Sequence, residues 1–203
     1  RNYHLINWND NDYYKKEFLK NEEIKFSKDL EILVLKLIPI VSNYLGSLAI
    51  LQNASFWFSP NENNVEGKSQ NWHMDVEDIK QVRVLIPIEE IDNSSGPMHV
   101  LSAQDTDKVY DDLKLNKKIS YRSDRISDEI MNRYNVKQNT LTIKKNEIAF
   151  IDTCRCYHYG SRKSSKVRKV ISLQFTSAFS IFTPIFNRNI NPPEFNERLS
   201  TEI

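Results

Sequence analysis

The sequence predicts a mainly β protein in which N-terminal helices flank a closed or sandwiched β-barrel. Apolar residues recur at helical spacing over the first part of the chain, and about eight short strand-like runs follow. The 203 residues, of which 39% are hydrophobic and 27% charged, fit one globular domain. We therefore expect residues 1–203 to form a single domain, with residues 1–46 as helical support.

Two helical patterns open the chain. In "DYYKKEFLKNEEI", which begins at Asp12, aromatic and aliphatic residues are spaced among charges, and "SKDLEILVLKLIPIVSNYLG" is more apolar. Ser27 is a suitable N-cap for the second helix, and Gly46 is a suitable stop. Pro39 is expected to kink this helix or to begin a new turn.

The strand-like runs are rich in β-branched and aromatic residues. They read "SLAILQNASFWFSP", "QVRVLIPIEEI", "MHVLSA", "NTLTIKK", "EIAFIDTCRCYHYG" and "VRKVISLQFTSAF". Residues 105–138 interrupt them with a charged stretch that contains a helical pattern in "SDRISDEIMNRYN". This stretch has too few apolar residues to form a core alone, so we interpret it as an insertion or lid on which substrate selection would depend.

Composition argues against several classes of partner. The net charge of +1 gives no general attraction to nucleic acid or membrane, and no apolar run approaches the ~20 residues of a spanning helix. Cys154 and Cys156 form a C-x-C pair, which we interpret as reduced thiols in a cytoplasmic protein; a zinc site would usually need a second such pair. A small-molecule substrate is expected. The oligomeric state stays open, because the aromatics of "FSIFTPIFNR" suit either a dimer contact or a C-terminal strap.

A candidate metal site begins in "NWHMD". If this segment is a strand, His73 and Asp75 share one face, and two such ligands need a third from elsewhere in the fold. The other histidines are His4 near the terminus, His99 after a turn, and His158 at the end of an apolar strand. Two imidazoles and a carboxylate define the site of non-haem Fe(II) oxygenases. At this point both His158 and His99 are candidates for the third ligand.

Arg168, which follows His158 in the sequence, is a candidate for binding an anion. On a strand in "VRKVISLQF", Arg168 and Ser172 project from the same face. A guanidinium can hold a carboxylate bidentately and a hydroxyl can add a contact, which suits a dicarboxylate whose 2-oxo acid end chelates iron. The competing interpretation places Arg168 in the solvated basic run Arg162–Lys169. That run can also attract a phosphate, nucleotide or CoA group.

The motifs "QNWHMD", "VRVLIPIEEIDNSSGPMHVL", "IDTCRCYHYGS" and "VRKVISLQF" together resemble the phytanoyl-CoA dioxygenase family of Fe(II)/2-oxoglutarate-dependent oxygenases. The resemblance runs from Gln70 to Phe175, apart from a divergent stretch over residues 105–145. It implies a double-stranded β-helix, also called a jelly roll or cupin-like barrel. It further implies that Fe(II) is held by three side chains and that 2-oxoglutarate and O₂ are co-substrates. The implied ligands are His73, Asp75 and His158, with Arg168 on the far carboxylate of 2-oxoglutarate, helped by Ser172.

Three further residues are candidates for contact with the substrate or the site. Members of the family often read G-S-H after the "GP" strand, whereas this chain reads "LSAQDT", which places Asp105 near the position of that histidine. Gln70 flanks the metal segment, and Arg83 either points inward toward an anionic substrate or outward. Relatives that halogenate lack the carboxylate ligand, so the presence of Asp75 favours hydroxylation.

The leading hypothesis is therefore an oxygenase that hydroxylates a small metabolite or an acyl- or carrier-linked substrate. A second hypothesis keeps the barrel and the metal but not 2-oxoglutarate, giving a cupin-like enzyme or binding protein. A third is a catalytically idle relative that acts as an interaction module. Binding of 2-oxoglutarate through Arg168 distinguishes the first hypothesis from the second.

Overall fold

The protein is mainly β. The computed structural model describes residues 28–59, 68–121, 124–162 and 164–180, together with the backbone of residues 15–18. Within these ranges no helix is long and apolar enough to cross a membrane. The strands are β1 (Lys15–Phe18), β2 (Ala49–Ser59), β3 (Gln81–Pro87), β4 (Met98–Val100), β5 (Asn139–Leu141), β6 (Ala149–Ile151), β7 (His158–Tyr159) and β8 (Arg168–Ser177). The helices are α1 (Lys28–Leu45), α2 (Ala103–Leu115) and α3 (Asp128–Met131).

The strands form two antiparallel sheets. The larger sheet has the order β1-β2-β8-β3-β6, and the smaller has the order β5-β4-β7. Strand β8 lies in the middle of the larger sheet and pairs with β2 along its whole length and with β3 from Val170 to Thr176. Each strand run predicted from the sequence contains a strand, most of these strands are shorter than the runs, and one run contains two strands.

Helix α1 covers the outer face of the larger sheet. Its buried residues recur at helical spacing, and they pack against alternate residues of the sheet. These contacts join Val34, Leu37, Ile38 and Val41 to Ala49, Leu51, Val82, Val84, Leu173 and Phe175. The helix continues past Pro39, so the expectation that Pro39 begins a new turn is wrong. Gly46 ends the helix with a φ of 72°, as predicted. Ser27 lies outside the part of the chain that the structure describes.

The first predicted helix is wrong in part. Residues 15–18 form β1, which pairs antiparallel with β2 from Ser55 to Phe58. The open edge of β2 offers unpaired backbone groups, and pairing with them outweighs the local helical preference of this charged segment. A non-local partner of this kind is invisible to a periodicity argument.

A second core lies between the inner faces of the two sheets. It combines residues of the larger sheet with residues that belong to the smaller one or adjoin it, so the sheets face each other across apolar side chains. These residues are Leu85, Ile151 and Val170 on one side and Ile91, Met98 and Ile143 on the other. Toward one end of this inner space the side chains become polar, and the candidate site lies there.

The stretch over residues 105–138 adds a third core rather than standing apart. Helix α2, which was not predicted, buries Val109 and Leu113, and α3 is a single turn within the predicted helical segment. Both pack in one apolar cluster with Trp72, Met74 and Tyr157, the neighbours of the predicted metal ligands. The stretch therefore supports the segment that carries His73.

The predicted strand "EIAFIDTCRCYHYG" is two strands separated by a turn. Residues 152–157 connect β6 to β7, and the Asp152 carboxylate accepts hydrogen bonds from the backbone N–H groups of Cys154 and Arg155. Arg155 therefore lies in a turn and not on a strand. Cys154 and Cys156 are both free thiols, the first of them buried.

Candidate metal centre

His73, Asp75 and His158 meet in space. One ligand atom from each of these residues lies within 4.8 Å of the others, and no other group of at least three such side chains occurs in the described ranges. Asp75 Oδ1 is 3.8 Å from His73 Nε2 and 3.9 Å from His158 Nε2. Two imidazole nitrogens and one carboxylate oxygen at these spacings can hold a single divalent ion.

The main chain positions the two histidines directly. The N–H of His73 donates to the carbonyl of His158 at 3.0 Å, and the N–H of His158 donates to the carbonyl of His73 at 2.9 Å. This reciprocal pair is an isolated antiparallel bridge, so the expectation that His73 and Asp75 lie on one regular strand is wrong. Asp75 is anchored separately, because its N–H donates to the carbonyl of Thr153 at 2.8 Å.

Each imidazole presents Nε2 to the site. Nδ1 of His73 is 2.8 Å from the carbonyl of Asn71, and Nδ1 of His158 is 2.9 Å from the carbonyl of Cys156. Because a carbonyl only accepts, Nδ1 carries the proton and Nε2 keeps its lone pair. Burial lowers the pKa of His73 to about 3, and burial also lowers the pKa of His158. Both rings are neutral at neutral pH, which is the form that binds a metal.

Asp75 is ionised because of its neighbours. Burial alone would raise its pKa, but the charge of the Arg83 guanidinium holds the pKa below the usual range. Asp75 Oδ2 accepts hydrogen bonds from Arg83 Nη2 and Gln81 Nε2, each at 2.8 Å. Arg83 therefore points inward, which decides between the two alternatives that the sequence left open. The carboxylate that it contacts is that of Asp75, within the protein itself. Gln81 was not among the predicted site residues, although it lies two residues from Arg83 on β3.

The three side chains line a cavity of about 180 Å³. Arg83 and Arg168 line it as well, and two oppositely charged residues, Arg125 and Glu77, complete its ionisable groups. The remaining lining residues are Trp57, Ser69, Met98, Gly160 and Ser161. Arg125 and Glu77 were not singled out in the sequence. Arg125 belongs to the 105–138 stretch, which thus contributes to the wall of the cavity.

Arg168 lies in this wall with its guanidinium buried. Its Nη1 donates to the carbonyl of Gly96 at 2.9 Å and its Nη2 to the hydroxyl of Ser59 at 3.3 Å. Among the residues that the structure describes, its Nε–H has no hydrogen-bond partner and no carboxylate lies within salt-bridge distance of the guanidinium. Burial lowers the pKa of Arg168 to about 10, so the group remains charged at neutral pH. A buried cation with unused donors is suited to an anionic ligand.

The other residues of the predicted basic run have partners within the protein. Lys166 pairs with Asp92 and Lys169 with Glu89, whereas Arg162 pairs with Asp128 on α3. Position 163 lies outside the described residues. In the part of Arg162–Lys169 that the structure describes, these three basic side chains thus each have an acidic partner.

Three predicted site residues have other environments. Ser172 is buried beside the cavity, and its hydroxyl accepts from Arg83 Nη1 at 3.3 Å. Gln70 is also buried, and its amide donates to the carbonyl of Ser161 rather than facing the cavity. Asp105 belongs to the first turn of α2, where its backbone and side chain bond with Ser102, and it is not among the residues that line the cavity. The pattern S-x-x-D at these positions is a helix N-terminus signal that was available in the sequence.

His99 is not a metal ligand in this arrangement. Its ring stacks on that of Tyr159 with a centroid distance of 4.8 Å, and it is absent from the cluster of ligand atoms. Tyr159 also contacts Trp72 edge to face, and the Arg162 guanidinium lies 3.7 Å from its ring centroid. Trp72 and the tyrosines on either side of His158, Tyr157 and Tyr159, all pack in one buried apolar cluster. His4 lies outside the described residues.

Comparison of the fold with solved structures identifies a class of similar proteins. No family model and no curated protein sequence matches this chain. The apoform of EctD from S. alaskensis superposes with a TM-score of 0.58 at 15% identity, over 84% of this chain and 60% of EctD. The non-heme alpha ketoglutarate dependent epimerase SnoN, in complex with Fe3+ and alpha ketoglutarate, superposes with a TM-score of 0.55 at 11% identity. The superposition covers 82% of this chain and 64% of SnoN.

HygX from Streptomyces hygroscopicus, with nickel and 2-oxoglutarate bound, gives a TM-score of 0.53 at 10% identity, over 82% of this chain and 71% of HygX. At these low sequence identities, the similarity shows a shared fold only. The chain spans about three fifths of EctD and SnoN. The protein therefore shares the fold of non-heme iron, 2-oxoglutarate-dependent enzymes, and it has three side chains that can hold a metal ion.

Proposed function

We propose that this protein is an Fe(II)- and 2-oxoglutarate-dependent oxygenase of the phytanoyl-CoA dioxygenase-like type, a single jelly-roll domain that hydroxylates a small organic molecule. The observation that carries the proposal is Arg168. Its guanidinium is buried, lacks a described carboxylate partner and lies in the same cavity as the two histidines and Asp75. A metal site alone would not require this cation.

The residues take distinct roles in this proposal. His73, Asp75 and His158 hold Fe(II), for which the neutral imidazoles and the ionised carboxylate are a fitting donor set. Arg168 binds the far carboxylate of 2-oxoglutarate through its unused donors. Ser172 acts on the site through Arg83, to which it is hydrogen-bonded, rather than as a wall of the cavity.

The overall reaction balances without another reductant. One 2-oxoglutarate, one O₂ and one substrate C–H yield succinate, CO₂ and the substrate alcohol, with one oxygen atom entering succinate and the other entering the alcohol. Bound iron supplies the activation of O₂. The protein orients 2-oxoglutarate, keeps bulk water away and holds the reacting C–H bond near the metal side of the cavity.

Substrate contact is assigned to the part of the cavity that is not used by the metal or 2-oxoglutarate. Arg125 and Glu77, which line the same cavity and carry opposite charges, are the residues to which we assign it. The neighbours by fold include an epimerase and a carbocyclase, both described as alpha ketoglutarate dependent, so this fold serves several reactions. We favour hydroxylation because Asp75 fills the position that a halide would need. The two free thiols suit a reducing compartment such as the cytoplasm.

The proposal is tested by anaerobic titration with Fe(II) and then 2-oxoglutarate. Chelation of Fe(II) by the 2-oxo acid should produce a weak visible charge-transfer band. In Arg168→Met the band should require a far higher 2-oxoglutarate concentration, because the carboxylate loses its charged partner. Arg155→Met is the matched control, since Arg155 is a half-exposed arginine outside the cavity.

The outcomes separate the competing functions. Fe(II) binding without any band would indicate a cupin-like metal protein that does not use 2-oxoglutarate. Absence of Fe(II) binding would contradict the metal site itself. If the band forms, release of succinate in the presence of pooled metabolites, compared with its release without them, identifies the substrate.

A further inference from the structure

A layer of polar side chains lies inside the larger sheet next to Asp75. Gln81 and Arg83 alternate along β3, and Ser172 and Gln174 alternate along β8, where Arg83 is directly opposite Gln174. Period-two alternation directs these residues to the inner face, while the intervening valines of β3 pack against α1 on the outer face. All four side chains are buried. Burial of such a layer is costly unless each member has a partner.

The layer converges on one oxygen of Asp75. Oδ2 accepts from Arg83 Nη2 and from Gln81 Nε2, both at 2.8 Å. The other oxygen, Oδ1, is the one that lies 3.8 and 3.9 Å from the histidine Nε2 atoms. The two oxygens of the carboxylate thus differ in their contacts. Oδ2 accepts hydrogen bonds from the protein, and Oδ1 faces the two histidine nitrogens.

The donors are themselves fixed by contacts on their far sides. Gln174 Nε2 donates to Gln81 Oε1 at 3.0 Å, which turns the Gln81 NH₂ group toward Asp75. The Arg83 guanidinium donates through Nη1 to Ser172 and lies 5.2 Å from the ring centroid of Trp57. Because three strands contribute to these contacts, the orientation of Asp75 depends on the register of the sheet.

We propose that Arg83 and Gln81 are positioning residues that restrain Asp75 to bind the metal through Oδ1 alone. This inference rests on the proposed function, since it concerns the same ion. A carboxylate that chelates through both oxygens occupies one more coordination position than a carboxylate that binds through one. Restraint of Oδ2 therefore keeps a position open for co-substrate, which an oxygenase needs and a closed structural site does not.

The test uses Co(II) as a visible probe of the metal site in the full chain. Arg83→Met and Gln81→Met should each weaken Co(II) affinity by about 10–100-fold, the usual effect of losing a hydrogen bond to a metal ligand. Their d–d bands should also change, because Asp75 becomes free to chelate. Arg83→Lys should recover part of the affinity, since an ammonium group can donate to Oδ2. Arg155→Met should bind Co(II) as the wild type does.

A double-mutant cycle distinguishes positioning from a general structural role. In an Asp75→Ala background, Arg83→Met should cause no further loss of Co(II) affinity, because the carboxylate that it positions is gone. A further loss of the same size as in the wild-type background would overturn the inference. So would an Arg83→Met protein that keeps its near-ultraviolet circular dichroism and binds Co(II) with wild-type affinity and spectrum.

Two further outcomes separate this inference from the proposed function. If Arg83→Met does not fold, Gln81→Met decides, because it removes a neutral donor to the same oxygen; unchanged Co(II) affinity in that variant overturns the inference. If the wild type binds Co(II) but its spectrum does not respond to 2-oxoglutarate, the proposed oxygenase fails, whereas a loss of affinity in Arg83→Met still supports the positioning role. A wild type that binds no Co(II) overturns both.

Discussion

The two buried arginines beside the metal ligands differ in their partners. Arg83 is paired with Asp75 at 2.8 Å, whereas the hydrogen bonds of Arg168 within the described residues go to the neutral groups of Gly96 and Ser59. The same residue type thus neutralises a carboxylate in one place and is proposed to bind an anionic ligand in the other. The sequence identified Arg168 through its spacing from His158, but it left the direction of Arg83 open, because that direction depends on which strands flank β3.

Gly96 supports Arg168 at the level of a single residue. Its φ is 63°, and a Cβ there would lie 3.1–3.2 Å from atoms of Ser161, Arg162 and Ser164, while its carbonyl accepts from Arg168. We expect Gly96→Ala to lower the free energy of unfolding by about 1–3 kcal/mol through backbone strain and crowding. It should also weaken 2-oxoglutarate binding in the charge-transfer titration.

Gly46→Ala is the matched control for this prediction. Gly46 has a similar φ of 72°, but nothing lies within 4 Å of the position of its Cβ. This variant should show the backbone strain, about 1 kcal/mol in urea unfolding, with no change in 2-oxoglutarate binding. Equal effects of both substitutions on binding would contradict the role given to Gly96.

The two cysteines should be unreactive in the folded protein. Burial raises the pKa of Cys156 to about 11 and raises the pKa of Cys154 further. Since the thiolate is the nucleophile, the reactive fraction at pH 8 is about 100-fold smaller than for a thiol of pKa 9. We expect iodoacetamide to modify Cys154→Ser protein, which retains Cys156, at least about 100-fold more slowly when native than in urea. Rapid native labelling would contradict this.

At the scale of the elements, α3 holds the segment that leads into the metal site. The carboxylate of Asp128 accepts from Trp72 Nε1 at 3.0 Å and from Arg162 Nη1 at 2.6 Å. Asp128→Ala leaves both donors unpaired, and the Arg162 side chain is only 10% exposed. We expect a loss of about 2 kcal/mol in the free energy of unfolding, measured with urea.

Glu129, the next residue of the same helix, supplies the comparison. It forms an i,i+4 ion pair with Arg133, but its side chain is 81% exposed. Glu129→Ala should therefore change stability by at most about 0.5 kcal/mol. If both alanine variants are equally stable, α3 does not anchor Trp72 as described.

The elements also indicate how much of the structure the sequence could predict. Strands β2, β3 and β8 were identified because their apolar runs are long and rich in β-branched residues. Strand β1 was missed because its partner is β2, which is distant in sequence. Helix α2 was missed because its charged composition hid a capping signal, Ser102 with Asp105, and a buried face through Val109 and Leu113.

The residues of the candidate site also fall into those that the sequence could predict and those that it could not. His73, Asp75, His158 and Arg168 could be found because each follows a local spacing rule or a motif of the resembled family. The hydrogen bond from Gln81 to Asp75 could not, because it requires the register between β3 and β8. Local pattern therefore predicted the candidate ligands, whereas the residues that contact them could be found only from the tertiary structure.

At the scale of the whole molecule, ligands should stabilise the fold. Neither the ion nor 2-oxoglutarate has a preformed site in the unfolded chain, so saturation at 100 times the dissociation constant adds about 2.7 kcal/mol for each ligand. We expect Fe(II) or Co(II) to raise Tm, with a second rise on addition of 2-oxoglutarate in the wild type but not in Arg168→Met. A chelator should reverse the first rise. An unchanged Tm at saturating metal would contradict the assigned centre.

The reciprocal backbone pairing of His73 with His158 has a consequence for repairing the site. Main-chain bonds hold these two positions together whatever side chains they carry, provided the backbone stays paired. Removal of one imidazole ring should therefore leave a cavity beside the other two candidate ligands, and the paired backbone should keep this cavity from collapsing. Free imidazole added to His158→Gly should bind in this cavity and restore binding of the metal ion. Such chemical complementation would not be expected if the two histidines lay on loops without this backbone pairing.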